Sequence, residues 1–250
     1  MWGIIPAAGN GTRIQPLAFS KELLPVGSRA DDGSERPKAV SEYLIERMMI
    51  GGADKVCLVI SPDKHDILHY FGARFEEANI AYVVQPHAAG LCDAIFRASL
   101  LVGPEEPVIV GLPDTIWFPQ NALRALPADR LSFLLFPTTR PQLFDAVVLD
   151  ARGGVEEIQV KPKVPRSQWI WGAFKMPGRV FHELRALWLA RNKRDEYVGT
   201  LVNAWLAEGG TALGVRAGKT YVDVGTLHGY REAIQLLASE AGSGVQIADA

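Results

Sequence analysis

Residues 4–25 read IIPAAGNGTRIQPLAFSKELLP. An apolar run beginning at Trp2 passes into the small residues Ala7, Ala8, Gly9, Asn10, Gly11 and Thr12. Arg13 follows, and Lys21 stands eight positions further on. A buried strand that empties into a glycine-rich turn marks the C-terminal edge of an open α/β sheet. Ligands bind at that edge, because glycine lets the backbone come close and its N–H groups can point at anionic oxygens. A turn that merely leaves a strand looks the same, so the longer pattern has to decide.

Two phosphate-binding patterns fail letter by letter. G-x-x-x-x-G-K-[ST] occurs nowhere in the chain. G-x-G-x-x-G would begin at Gly9 and need a glycine where Ile14 stands. Its acidic ribose partner would fall in a polar stretch rather than at the end of a second strand. A nicotinamide dehydrogenase is therefore disfavoured.

Outward from the turn, apolar runs at 2–7, 55–61, 80–85, 107–112 and 131–138 have the continuous character of strands covered on both faces. Between them lie helix-period segments. Val40, Leu44 and Met48 recur at helical spacing before Gly51-Gly52. Ser61-Pro62 reads as an N-cap and first helical position, and residues 91–101 as a further helix. Strand alternating with helix predicts right-handed βαβ units. Residues 27–37, GSRADDGSERP, are polar and turn-rich and are expected to form a mobile loop. After residue 140 the rhythm changes: a hairpin over 144–163, a strand over 167–176, helices near 177–191 and 196–208, short strands near 212–222, and a helix over 227–239. The expected fold is α/β, a Rossmann-like three-layer sandwich with a mostly parallel central sheet and a small hairpin-and-helix part.

A length of 250 residues suits one large α/β domain, and 48% apolar with 22% charged residues is ordinary globular composition. No apolar run approaches the ~20 residues that span a bilayer, and a core strand is expected from Gly3, so the reading is cytoplasmic with no membrane partner. The net charge of −2 argues against nucleic acid but leaves room for a local basic pocket. Cys57 and Cys92 stand in apolar or helical surroundings without metal-ligand spacing and read as buried thiols. The five histidines form no ligand pair, so zinc is not expected.

What fits the opening stretch is G-x-G-T-R followed by K-E-L-L-P. With QPHAAGLCDAI at 85–95, GLPDTIW at 111–117, VKPK at 160–163 and YVDVGTLHGYREA at 221–233, the chain resembles the sugar nucleotidyltransferases. The likeness is to those that make dTDP- or UDP-sugars from a sugar 1-phosphate. It implies a single domain over 1–240, with residues 1–140 holding the nucleotide and 141–240 the sugar, followed by a flexible tail at 241–250. The implied substrates are a nucleoside triphosphate (dTTP or UTP) and a sugar 1-phosphate, and a homo-oligomer is compatible with the sequence. A cytidylyltransferase of a sugar or polyol phosphate, or a binding relative without turnover, stays open as an alternative.

The implied reaction is attack of a sugar-phosphate oxygen on the α-phosphorus, with pyrophosphate leaving. It needs alignment and charge neutralisation rather than a covalent intermediate. The resemblance makes Arg13 and Lys21 the catalytic cations, Arg13 forked onto the triphosphate and Lys21 a point charge at the α-phosphate. Ala8, Gly9, Gly11 and Thr12 would cradle the nucleotide. Gln85, whose amide both donates and accepts, and Gly90 would read a pyrimidine edge. Asp114 and Asp223, each at a predicted strand end, would share a Mg²⁺ ion. Lys161, on the hairpin's second strand, and Gly172 would meet the sugar phosphate. Trp169 and Trp171 share a face and either pack the core or wall the sugar pocket. Two departures from the family pattern stand out: Val160 holds a position where an acidic residue is expected, and Thr200 stands near another.

Overall fold

The structure, a computed structural model, describes residues 1–244. Strand β1 (Trp2–Pro6) is its centre. Successive side chains of a strand point to opposite faces, so Ile4 and Ile5, both fully buried, anchor two different cores. Truncating either to Ala removes about 2–5 kcal/mol of stability. The chain continues through β2 (Pro25–Asp31), β3 (Ser34–Ala39), α1 (Val40–Ile50), β4 (Lys55–Ile60), α2 (His65–Phe71), β5 (Arg74–Phe75), β6 (Ala78–Val84), α3 (Gly90–Arg97) and β7 (Val108–Gly111). β1 pairs in parallel with β4 and β7, and β4 with β6. The four-strand order β7-β1-β4-β6 is the parallel core that strand–helix alternation predicted.

The second half adds β8 (Thr115–Phe118), β9 (Leu131–Pro137), β10 (Ala146–Leu149), β11 (Val155–Gln159), β12 (Trp169–Met176), α4 (Gly178–Ala190), α5 (Val198–Ala207), β13 (Ala212–Val215), β14 (Thr220–Asp223) and α6 (Leu227–Gly244). β12 runs antiparallel to both β7 and β9, and at Ile170 it meets Ala146 of the β10–β11 hairpin. The path β11-β10-β12-β7-β1-β4-β6-β5 thus carries the hairpin at one edge of a sheet of ten strands among the described residues. Helices α3, α4 and α5 cover the face of Ile4 through Ile95, Phe181 and Leu201. Helices α1 and α2 cover the face of Ile5 through Leu44, Met48 and Ile67. This is the expected Rossmann-like α/β sandwich of three layers.

Three local expectations are corrected. Residues 27–37 are not a loop: β2 and β3 pair antiparallel, with Arg29 opposite Arg36 and Asp31 opposite Ser34. Asp32 and Gly33, both at positive φ (47° and 76°), make the two-residue turn that suits a hairpin's twist. Ser61-Pro62 do not cap α2. They form a turn in which the Lys64 N–H donates to the Ser61 carbonyl, and the helix begins at His65. The last helix outruns its predicted end: residues 241–244 continue α6, and the rest of the expected loose tail, 245–250, lies outside the described residues. Both cysteines are free and buried, as expected. Among the described residues no helix is long and apolar enough to cross a membrane.

Candidate active site

The turn after β1 is held from beneath and open above. The Ala7 N–H donates to the Val59 carbonyl at 2.7 Å, continuing the ladder one residue past the strand. From Ala8 to Arg13, no backbone N–H donates to another protein group among the described residues. Ala8 is buried, whereas Gly9 and Thr12 are exposed. Gly11 sits at φ +62°, and a β-carbon there would lie 2.6 Å from Lys21 Cδ. The lysine stem therefore crosses directly over Gly11, which explains a glycine at that place on both counts.

Beneath the turn is a brace that the sequence did not disclose. Lys64 Nζ donates to the carbonyls of Ala7 (2.6 Å) and Gly9 (2.7 Å) and to both oxygens of Glu22 (2.7 and 2.8 Å). Burial drives the Glu22 pKa up and the Lys64 pKa down, each against the attraction of the other. A buried pair survives such desolvation only with good geometry and its remaining hydrogen bonds made; here the two loop carbonyls supply them. Asp66, at the start of α2, accepts from Ser20 N and Oγ, both at 2.6 Å, and so fixes the approach to Lys21.

Two further loops bring the carboxylates in. Asp114 lies between β7 and β8, and Asp223 ends β14. The antiparallel β8–β14 ribbon sets Thr115 opposite Asp223, and the Val224 N–H donates to the Asp114 carbonyl at 2.8 Å. Lys21 Nζ donates to Asp114 Oδ2 at 2.6 Å, and Arg13 Nη1 to Asp223 Oδ2 at 3.0 Å. Cations and carboxylates expected from distant segments therefore meet in one place. Burial works against both charges of the first pair, but each partner's attraction and their hydrogen bond outweigh it. Lys21 is held above its ordinary pKa and Asp114 below its own. Tyr221, between them and the core, is pushed well up by burial and then by Asp223 and Asp114.

The same two carboxylates could hold a hard cation. A methyl group placed on Gly225 would lie 2.8 Å from Asp114 Oδ2 and 2.9 Å from Asp223 Oδ1. Both acids therefore converge on one point beside Gly225, with Arg13 Nη2 at 3.2 Å from it and the Gly225 N–H donating to Asp223 Oδ1 at 2.8 Å. Among the described residues no group of three or more His, Cys, Asp or Glu side chains is gathered for a metal. A cation here would take only two protein carboxylates and complete its shell from phosphate and water, as Mg²⁺ commonly does.

From these acids a cavity of about 240 Å³ runs toward the β10–β11 hairpin. That is below the ~300–1,000 Å³ of ligand pockets in general, and closer to one sugar ring than to a whole nucleotide sugar. Lys161, Asp145, Trp171, Tyr197 and Tyr221 line it together with Arg13, Asp114 and Asp223. Lys161 is not on the hairpin's strand as predicted: β11 ends at Gln159, and Lys161 follows at φ +41°. That left-handed conformation is uncommon for a residue with a side chain. Its ammonium lies 5.2 Å from the Tyr197 ring centroid. Trp171 both packs the core and lines the cavity; Trp169 packs against the core only.

Other expected positions are placed differently. The Gln85 amide nitrogen donates to Asp93 Oδ2 (2.8 Å) and to the Gly90 carbonyl (3.2 Å), so its donor face is already engaged and only the carbonyl oxygen is left for a ligand. A β-carbon on Gly90 would strike the Glu196 backbone at 2.8 Å, and one on Gly172 would strike Phe136 and Tyr221 at 2.6 and 2.7 Å. Protein packing accounts for both glycines, and neither lines the cavity. The residues missed in the sequence are Lys64, Glu22, Asp145, Tyr197 and Tyr221. Glu22 carries a signal as the neighbour of Lys21 in KELLP, and Tyr221 as the first residue of YVDVGTLHGYREA.

The profile of the nucleotidyl transferase family matches residues 2–240. The glucose-1-phosphate thymidylyltransferase of Mycobacterium tuberculosis is 27% identical over 248 residues, which span 93% of this chain and 81% of that protein. That of Neisseria gonorrhoeae is 25% identical over 253 residues, with the same coverage of each. Among solved structures, a UTP-bound UGPase of Acinetobacter baumannii superposes with a TM-score of 0.75 at 20% identity, covering 99% of each chain.

Proposed function

The chain belongs to the nucleotidyl transferase family, and from that premise we propose that it makes a nucleotide sugar from dTTP or UTP and a sugar 1-phosphate. A phosphate oxygen of the sugar 1-phosphate attacks the α-phosphorus of the triphosphate. The bond from that phosphorus to the β-phosphate oxygen breaks, and pyrophosphate leaves with the electron pair.

In this reading the open N–H groups of residues 8–13 receive the triphosphate, the arrangement expected of an anion-binding concavity. Arg13 and Lys21 turn from their carboxylates to the phosphate oxygens, where charge accumulates in the transition state. Lys161 binds the phosphate of the sugar at the mouth of the 240 Å³ cavity. The Gln85 carbonyl, its amide nitrogen fixed by Asp93, accepts from the ring N–H of thymine or uracil. Asp114 and Asp223 would hold Mg²⁺, which when bound supplies Lewis-acid charge to the triphosphate.

The observation that carries the reading is the meeting of Lys21 with Asp114 and of Arg13 with Asp223 beside an open glycine-rich turn. A binding protein without turnover has no need of both carboxylates. The test is pyrophosphate release and product mass with dTTP, UTP and CTP, each against a panel of sugar 1-phosphates. A sugar nucleotide from dTTP or UTP is expected, with at least ~10²-fold lower kcat/KM for CTP, because a mismatched edge leaves buried polar groups unpaired. CTP as the best substrate would overturn the base assignment.

A further inference from the structure

Once the phosphates and the cation are given their residues, one carboxylate in the cavity remains unused. Asp114 and Asp223 are each paired with a cation. Asp145, which lines the same cavity one residue before β10, forms no ion pair among the described residues. Beside it, the indole N–H of Trp171 is buried and has no hydrogen-bond partner. The indole and the Lys161 backbone N–H both lie near enough to the Asp145 carboxyl to favour its charged form. Burial pushes the Asp145 carboxyl above the usual range, and the nearby Trp171 and Lys161 offset this only in part. An acid held against its own solvation, next to an unsatisfied donor, is what a fold tolerates at a binding site.

A carboxylate accepts and an indole N–H donates, so the group that satisfies both at once is a hydroxyl. The setting suits a hydroxylated ring, since Tyr197 and Tyr221 line the same cavity. The hairpin register explains how the acid comes to be here. Ala146 pairs with Gln159, so Asp145 and Val160 are the first residues beyond the paired end of the hairpin. Val160 itself does not line the cavity, and a methyl on Gly199 of α5 would lie 2.9 Å from its Cγ2. The acidic contact is thus supplied from the first strand of the hairpin. We infer that Asp145, with the Trp171 indole N–H, binds a ring hydroxyl of the sugar 1-phosphate and determines which sugar this enzyme accepts. The inference rests on the sugar 1-phosphate reading above.

The test compares the wild type with Asp145→Asn, using dTTP or UTP with glucose 1-phosphate, galactose 1-phosphate and the monodeoxy analogues of glucose 1-phosphate. The variant is expected to lose about 10- to 100-fold in kcat/KM for the preferred sugar, the range for a hydrogen bond to a charged group. The loss should lie in the KM for the sugar phosphate, with the KM for the nucleotide unchanged. One deoxy analogue should be poor for the wild type but carry no added penalty in the variant, a coupling that a merely structural residue would not produce. The melting temperature at neutral pH should not fall, since a buried acid is being neutralised. Trp171→Phe, which removes the donor together with part of a ring packed in the core, should impair recognition of the same hydroxyl more than of the others. An unchanged sugar KM in Asp145→Asn, or equal losses across all analogues, would overturn the assignment. A wild type inactive with every sugar 1-phosphate would instead overturn the function itself, a failure visible before any variant is made.

Discussion

Lys21 Nζ donates to Asp114 Oδ2 at 2.6 Å, joining two segments 93 positions apart in the chain. The ammonium lies over a turn held by a buried brace, and the carboxylate stands in the short connection between β7 and β8. Their contact leaves each acid with a cation and each cation with an acid. Substrate binding on this account is an exchange of partners. In the proposed function the cations would move to phosphate, leaving the carboxylates free to hold a metal.

The pair also makes a prediction about pH. Asp114 is held below its ordinary value of 3.8, so its contribution to stability is present above that value and is lost as pH falls through the lower folded one. Lys21 is held above 10.5, so its contribution is present below that value and is lost as pH rises through the higher folded one. Between about pH 5 and pH 9 both groups keep their charge. The stability difference between the wild type and Asp114→Asn should therefore be flat across that window in thermal melts. A difference that changes steeply near neutrality would show that the pair is not ionised as described.

Lys64 should prove indispensable to the turn, whose carbonyls it holds from beneath. Lys64→Ala leaves the Glu22 carboxylate, 1% exposed, without its partner and frees the carbonyls of Ala7 and Gly9. Breaking one side of a buried pair costs about 3–5 kcal/mol. Urea unfolding should show that loss, and Lys64→Met with Glu22→Gln should regain a large part of it. The double variant should still bind nucleotide poorly, because the loop carbonyls have lost their donor. Wild-type nucleotide affinity in it would show that the turn needs no brace.

Gly11→Ala tests the crossing of the lysine stem. The new β-carbon has to adopt φ +62° and would lie 2.6 Å from Lys21 Cδ, so the ammonium has to move. Turnover should fall by about 10²-fold, the scale on which a transition-state donor is lost. The conformational cost to the fold is only about 1–2 kcal/mol. Steady-state kinetics beside a melt separates the two effects.

The thiols should be silent. Burial pushes Cys57 and Cys92 up to about 12, and thiolate is the reactive form. A thiol reagent at pH 8 should label neither in the folded protein and both after denaturation. Rapid labelling of the native enzyme would contradict their burial.

Much of this arrangement was legible in the sequence because it rests on local pattern. The apolar runs of β1, β4 and β7 are covered on both faces and read as such without tertiary knowledge. Asp114 and Asp223 were legible as strand-end acids, and the GNGTR and KELLP motifs drew Arg13 and Lys21 toward one site. The β2–β3 hairpin is masked in the sequence by its polar residues, although Asp32-Gly33 is a strong two-residue turn signal. Lys64 was invisible for another reason. Its sequence neighbours, Pro62-Asp63 and His65, resemble any helix start, and only the packing of α2 under the turn buries its ammonium. Beside Gly90 and Gly172 the space is filled by Glu196, Phe136 and Tyr221. Such contacts come from segments far away in the chain, and no local rule reports them.

The most direct measurement follows the α-phosphate itself. With dTTP or UTP labelled at that phosphate, glucose 1-phosphate and Mg²⁺, the label should move into a nucleotide sugar in step with released pyrophosphate. Lys21→Ala should lower kcat by about 10²-fold or more with a smaller effect on KM, since its charge matters most as the α-phosphorus is attacked. Label that stays in the triphosphate with every sugar 1-phosphate, or a Lys21→Ala enzyme with undiminished kcat, would contradict the account.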